Sequence, residues 1–308
     1  MKRLSWFAFV ACCLLLSSLS YVAAPAPPLS SGRAQQESGS AFKPGCPTLP
    51  FEAIKVKRPI DSTCPRGGNA ASTDPTGAHA LENEAKNDFC ANGKPVPVTY
   101  NSFVGLQAAV NKMTDLPWGE GTRLPPDRSK LRGLKIQDSG STLTLGEGTK
   151  VVFVGYVMDA KHDDTAKGED VNCEIPGNES NDIHISLRTV AGAAPPAAPK
   201  GKPDARCNSI TAEISPHYRP DSWDKFDSAP YRAVFQKYPV RITGTLLFDA
   251  AHHPCAKGIP SAGNPVRISV WEIHPVYAID VCKYTTLTRC KVTDQTAWTP
   301  FDKYKIGS

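Results

Sequence analysis

Eight cysteines constrain this chain more than any other feature: Cys46, Cys64, Cys90, Cys173, Cys207, Cys255, Cys282 and Cys290. Their number is even and no two stand at C-x-x-C spacing. That argues for disulfides and against a redox dithiol or a zinc ribbon. Eight cysteines allow 105 pairings, so the connectivity stays open. Disulfides belong to oxidising compartments, and the start of the chain offers a route to one. Met1-Lys2-Arg3 is cationic, Trp6–Leu16 is apolar, and Ser17–Ala26 is mostly small. That is the layout of a secretory signal peptide, assigned to residues 1–24. The apolar run falls short of the ~20 residues a membrane helix needs, and no later stretch approaches that length. The other two cysteines, Cys12 and Cys13, lie inside the apolar run rather than after it, which weakens a lipoprotein reading. The expectation is an exported protein, periplasmic or extracellular, without a transmembrane span.

Residues 25–45 are rich in Pro, Ser, Gly and Ala and read as a flexible lead-in. Residues 46–135 form a cysteine-containing segment with helices. One is expected within Ala78–Phe89. A stronger one spans Ser102–Met113, where Phe103, Leu106, Val110 and Met113 share a face and Asn101 can cap the start. Beyond Thr142 the period becomes two. Strands are expected at Val151–Met158, Ile183–Leu187, Ile210–Ile214, Val240–Phe248 and Val266–Val281, all rich in β-branched and aromatic residues. Pro216–Tyr238 leaves room for a short helix between the third and fourth. Five strands with this long connection match an OB-fold, a small Greek-key barrel, over residues ~146–285. Gly155 and Gly244 inside strands mark bends that closure needs. A β-sandwich with further strands in the N-terminal half is the alternative. Residues 286–308 are left as a C-terminal tail. The fold class is thus mainly β: an OB-like barrel with a small, disulfide-linked, partly helical N-terminal segment.

Acids and histidines recur near these strands. Asp182, His184 and Ser186 alternate with Ile183, Ile185 and Leu187, so one buried face suffices and His184 is free to face water. In the last strand, Val266, Ile268 and Val270 share a parity that continues to Glu272 and His274. Without a bulge, an acid and an imidazole line up with the core side, where neither can stay unpartnered. Trp271 then lies on the opposite face. Asp182, His184, Glu272 and His274 are therefore the candidate metal ligands for a divalent ion. Three readings compete: a buried hydrogen-bond network that pins the barrel, a metal site, and acid–base catalysis without metal. No nucleophile elbow, P-loop or dinucleotide fingerprint is present. The net charge of +5 falls by two with the leader, too little to argue for nucleic acid or an anionic membrane.

The segments GYVMDAKH (155–162), GEDVNC (168–173), NDIHISL (181–187), CNSITAEISPHYRP (207–220), VRITGTLLFDAAHHPC (240–255) and SVWEIHPVYAIDVC (269–282) resemble an uncharacterised family of exported bacterial proteins. RPIDSTC (58–64) and KNDFCANG (86–93) are similar to its N-terminal part. The WEIHPV stretch, together with F-D-x-x-H-x-x-C, is the specific part. The resemblance implies one inherited unit, N-terminal segment and barrel together, with an OB-like fold. It carries over no substrate and no site residues.

Two functions are left by this reading. The first is a non-catalytic, disulfide-stabilised module that binds an oligosaccharide or nucleic acid on a barrel face, through Tyr218, Arg219, His252 and His253. The alternative is a metal-dependent hydrolase of nuclease or phosphoesterase type, built on Asp182, His184, Glu272 and His274.

Overall fold

The structure, a computed structural model, describes residues 41–47, 49, 57–119 and 123–307. The segments expected to be a signal peptide and a lead-in lie, up to residue 40, outside the described residues. Among those described, the helices are α1 (Ala70–Thr73), α2 (Ala78–Lys86), α3 (Tyr100–Val110) and α4 (Ala229–Phe235). The strands are β1 (Val96–Val98), β2 (Leu134–Asp138), β3 (Ser141–Leu145), β4 (Lys150–His162), β5 (Ile183–Arg188), β6 (Ile210–Ile214), β7 (Val240–Phe248), β8 (Trp271–Cys282) and β9 (Trp298–Pro300). No helix among the described residues is long and apolar enough to cross a membrane.

Strands β4, β5, β6, β8 and β7 pair in that order, and β7 pairs back onto β4 to close a five-stranded barrel. The β6–β8 contact is parallel and the rest of the ring is antiparallel. The last barrel strand inserts between the third and fourth, which are joined by the long connection holding α4. That is the strand order of an OB-like Greek-key barrel. Period-two alternation drives the closure: Ile183, Ile185 and Leu187 on β5 and Ile210, Ala212 and Ile214 on β6 all enter one core. At Gly244 the β7–β8 ladder shifts register on both sides. A Cβ there would come within 2.5 Å of the Pro275 carbonyl oxygen, so only glycine lets β7 bend across β8.

Helix α3 plugs the barrel with Phe103, Leu106 and Val110, all fully buried. The cap is Thr99 rather than the expected Asn101. The Asn101 amide donates to Thr99 Oγ1 at 3.1 Å, and the Thr99 amide donates to Ser102 Oγ at 3.0 Å. Such a reciprocal box, worth about 1 kcal/mol, favours a start at Tyr100.

The last strand corrects an expectation. Residues 266–270 are not part of β8, which begins at Trp271. Trp271 pairs with Phe248 and Ile273 with Leu246, and residues directly opposite in a ladder share a face. Leu246 and Phe248 are core residues, so Trp271 and Ile273 point into the barrel beside them. Glu272 and His274 are therefore on the barrel's outer face. They are nonetheless 2 % and 0 % exposed, because other parts of the chain cover that face.

All eight cysteines are paired: Cys46–Cys90, Cys64–Cys173, Cys207–Cys255 and Cys282–Cys290. Cys64–Cys173 ties the N-terminal segment to the β4–β5 connection. Around it the Asn69 amide donates to the Asp170 carbonyl at 2.8 Å. Gly68, at φ +62°, sits where a Cβ would come 2.4 Å from that same oxygen. Residues 286–308 do not form a free tail: β9 pairs with β8, and Phe301 packs on Phe226 and Phe235.

Candidate metal centre

The outer face of β5, β6 and β8 carries the site. On β5 and β6 the alternation that sends isoleucines inward sends His184 and Glu213 outward, and the two are cross-strand partners. On β8 the parallel pairing Thr211–Glu272 and Ala212–Ile273 brings His274 alongside Glu213. His184, Glu213 and His274 therefore form a row across three strands. Asp182 precedes β5 by one residue and is 1 % exposed. Glu169 arrives from the β4–β5 connection that Cys64–Cys173 anchors. Asn172 braces two of these carboxylates: its Nδ2 donates to Glu169 Oε2 at 3.1 Å and to Asp182 Oδ1 at 3.3 Å.

Two groups of candidate ligand atoms result, Asp182–Glu213–His274 and Glu169–Asp182–His184, each with all members within 4.8 Å of one another. Bonds of about 2.1 Å place ligands on opposite sides of one ion about 4.2 Å apart, so each group is near the size that holds an ion. His274 Nδ1 lies 3.0 Å from Glu213 Oε2, and its Nε2 lies 3.6 Å from Asp182 Oδ2. Neither ring nitrogen makes an aligned hydrogen bond, although the side chain is fully buried. An imidazole left in this state is costly unless something binds it. One nitrogen bound to an ion, with the other donating to the facing carboxylate, would satisfy both. His184 Nε2 lies 3.2 Å from Glu169 Oε1, and a quarter of its side chain is exposed.

The electrostatics express crowding by carboxylates. Burial, reinforced by Glu169, pushes Asp182 up to about 7. Burial would lower His184, but Glu213, Glu169 and Asp182 outweigh it and raise the imidazole to about 10. Burial works against ionised Glu213 as well, yet His184, His274 and Lys86 hold it well below the usual range. Burial and then Glu213 drive Glu272 well above its usual value. Metal-free stability should follow. His184 titrates near 6.5 when unfolded and near 10 when folded. Its contribution is complete below about 6.5 and fades as pH rises towards 10. Asp182 acts in the same direction but at lower pH, between about 4 and 7, and Glu272 is raised likewise. The melting temperature of metal-free protein is expected to fall steadily from pH 7 to pH 10, and His184→Gln to flatten that slope. A level wild-type profile would show that the cluster does not hold His184 protonated.

A cavity of about 630 Å³ opens over this face, lined among others by Lys86, Glu169, His184, Glu213, Asp249 and His252. Asp182 and His274 lie beneath it. Lys86 closes the end of α2 and has no hydrogen-bond or ion-pair partner within 4 Å among the described residues. Burial opposes its charge, but Asp249, Glu213, Glu82 and Glu272 keep it protonated. His252 stands on the rim, its Nδ1 2.8 Å from Asp249 Oδ2, with 42 % of the side chain exposed.

Of the four expected ligands, Asp182, His184 and His274 come together. Glu272 does not join either group. It accepts from Arg267 Nη1, and its Oε2 stays 4.0 Å from His274 Nδ1. Glu169 and Glu213 take its place. Glu213 was legible, since ITAEI places it on the polar face opposite the isoleucines. Glu169 sits in a loop that no periodicity addresses.

The expected ligand-binding quartet separates. Arg219 is fully buried and donates to the carbonyls of Asn181 and Asn178 at 2.8 and 2.7 Å, so it fixes loops instead of facing a ligand. Tyr218 packs edge-on against Phe42 and Phe89. His253 packs at a tilt against Trp118, with ring centroids 5.3 Å apart. His252 alone of the four lines the cavity. His217, four residues after Glu213, pairs with Asp61 at 2.7 Å. No family model, curated protein or solved structure matches this chain, so the chemistry of the site rests on its own geometry.

Proposed function

We propose that this protein is a metal-dependent hydrolase, with a divalent ion held by Asp182, Glu213 and His274 at the floor of the cavity. The observation that carries the reading is His274: fully buried, neither nitrogen in an aligned hydrogen bond, and facing two carboxylates at 3.0 and 3.6 Å. A mixed imidazole and carboxylate set suits zinc or manganese. Such an ion would lower the pKa of a bound water to about 7 and so supply hydroxide at neutral pH. Glu213 lines the cavity, which gives that water a path to substrate. Lys86 supplies a positive charge in the same cavity, which favours an anionic ester, of phosphoester type. In that reaction hydroxide adds at phosphorus, the ester P–O bond breaks, and the leaving oxygen takes a proton. His252, oriented by Asp249, stands where it can give that proton.

The non-catalytic reading shares the cavity, because OB-type barrels bind ligands across the face of the second and third strands, here β5 and β6. Turnover separates the two. Protein purified without chelator is expected to contain zinc or manganese and to hydrolyse bis(p-nitrophenyl) phosphate. His274→Ala should lower the rate at least about 100-fold while leaving the fold intact. Bound metal with no turnover of phosphoesters would leave the binding module standing. Less than about a tenth of an equivalent of any transition metal, with no activity restored by added ions, would remove the metal reading altogether.

A further inference from the structure

We infer that the centre takes two divalent ions rather than one, with Asp182 as the bridging carboxylate. The inference rests on the metal reading above and extends it. Asp182 is the one residue common to both groups of ligand atoms. His274 and Glu213 complete the deeper group, and Glu169 and His184 complete the one at the cavity wall. Each position therefore has one imidazole, one carboxylate of its own and a share of Asp182. Glu213 also spans the two: its Oε2 faces His274 Nδ1 at 3.0 Å and its Oε1 faces His184 Nδ1 at 3.5 Å.

Charge supports two ions. Glu169, Asp182 and Glu213 bring three negative charges to one largely buried spot, and the imidazoles are neutral when they bind metal. One divalent ion leaves an uncompensated negative charge there, which is costly in a poorly solvated site. Two ions with a bridging hydroxide reach neutrality. The nearby charges do not alter this, because Asp249 and Glu272 are balanced by Arg267 and Lys86 together. Paired sites of this type hold their ions ~3.5–4 Å apart and clamp the attacking and leaving oxygens of a phosphoester between them. The outer position opens on the cavity through Glu169 and His184, and the deeper one reaches it at Glu213.

The arrangement predicts a stoichiometry and a spectrum. Metal-free full chain titrated with Mn²⁺ should bind two equivalents, and its electron paramagnetic resonance spectrum should show exchange coupling between two ions. His184→Ala, a change at the cavity wall that spares the core, should leave one equivalent with an uncoupled signal. His274→Ala should do the same from the other side, and Asp182→Ala should abolish the coupling. One equivalent in the wild type, or two that are never coupled, would overturn the shared-carboxylate centre while leaving a single-ion hydrolase in place. No bound Mn²⁺ or Zn²⁺ at all would overturn both.

Discussion

Arg267→Met is expected to lower the free energy of unfolding by about 3–5 kcal/mol. Arg267 is 1 % exposed and joins two buried carboxylates: Nη2 donates to Asp249 Oδ2 at 2.6 Å and Nη1 to Glu272 Oε1. Burial opposes its charge, yet Glu272 and Asp249 hold it protonated throughout the accessible range. A methionine fills similar volume but leaves both acids without their counter-charge. Breaking one partner out of a buried network costs far more than the network contributes as a whole. Arg267→Lys should recover part of the loss, since a single ammonium cannot present two parallel donors to two acids. Urea unfolding measures the effect as a lower midpoint at unchanged slope. A loss below about 1 kcal/mol would mean that Asp249 and Glu272 do not need this partner.

Removing Cys64–Cys173 by the double change to serine is expected to cost about 5 kcal/mol. The bridge spans a sequence separation of 109 residues, and the chain entropy it removes from the unfolded state grows with that length. Cys282–Cys290, with a separation of 8, should cost about half as much. The location matters as much as the length. Cys173 lies four residues beyond Glu169, and the turn between them holds Asn172, the brace of Glu169 and Asp182. The same double variant should therefore loosen the outer metal position before the deeper one. Equal losses for the two bridges, with both metal positions intact, would contradict this.

The barrel strands were legible because five segments are rich in β-branched and aromatic residues, and Ile183–Leu187 and Ile210–Ile214 alternate apolar and polar positions as well. Ile210–Ile214 and Val240–Phe248 are observed at their expected limits. The small strands were not legible. β1 (VPV) and β9 (WTP) have three residues each and contain proline, so no period can develop. The β2–β3 hairpin does alternate, Leu134 and Ile136 against Leu143 and Leu145, but each run is only five residues long with half of the side chains exposed, too short to stand out. Within the site, the acid and histidine positions near the strands were legible, and the structure brings Asp182, His184 and His274 together. Extending one parity through residues 266–270, which are not strand, put Glu272 and His274 on the core side instead of the outer face, and Glu272 is taken up there by Arg267. Glu169 needed knowledge of where the Cys64–Cys173 bridge pulls its loop, and spacing alone could not supply that.

The most direct measurement is an anomalous difference map from crystals of the full chain grown with Mn²⁺ or Zn²⁺ and no chelator. A peak bonded at about 2.1 Å to a His274 nitrogen and to Asp182 is expected, with a second peak ~3.5–4 Å away beside His184 and Glu169. A map with no peak there, and with both His274 nitrogens hydrogen-bonded to protein or water, would show instead that the cluster is a purely structural polar network.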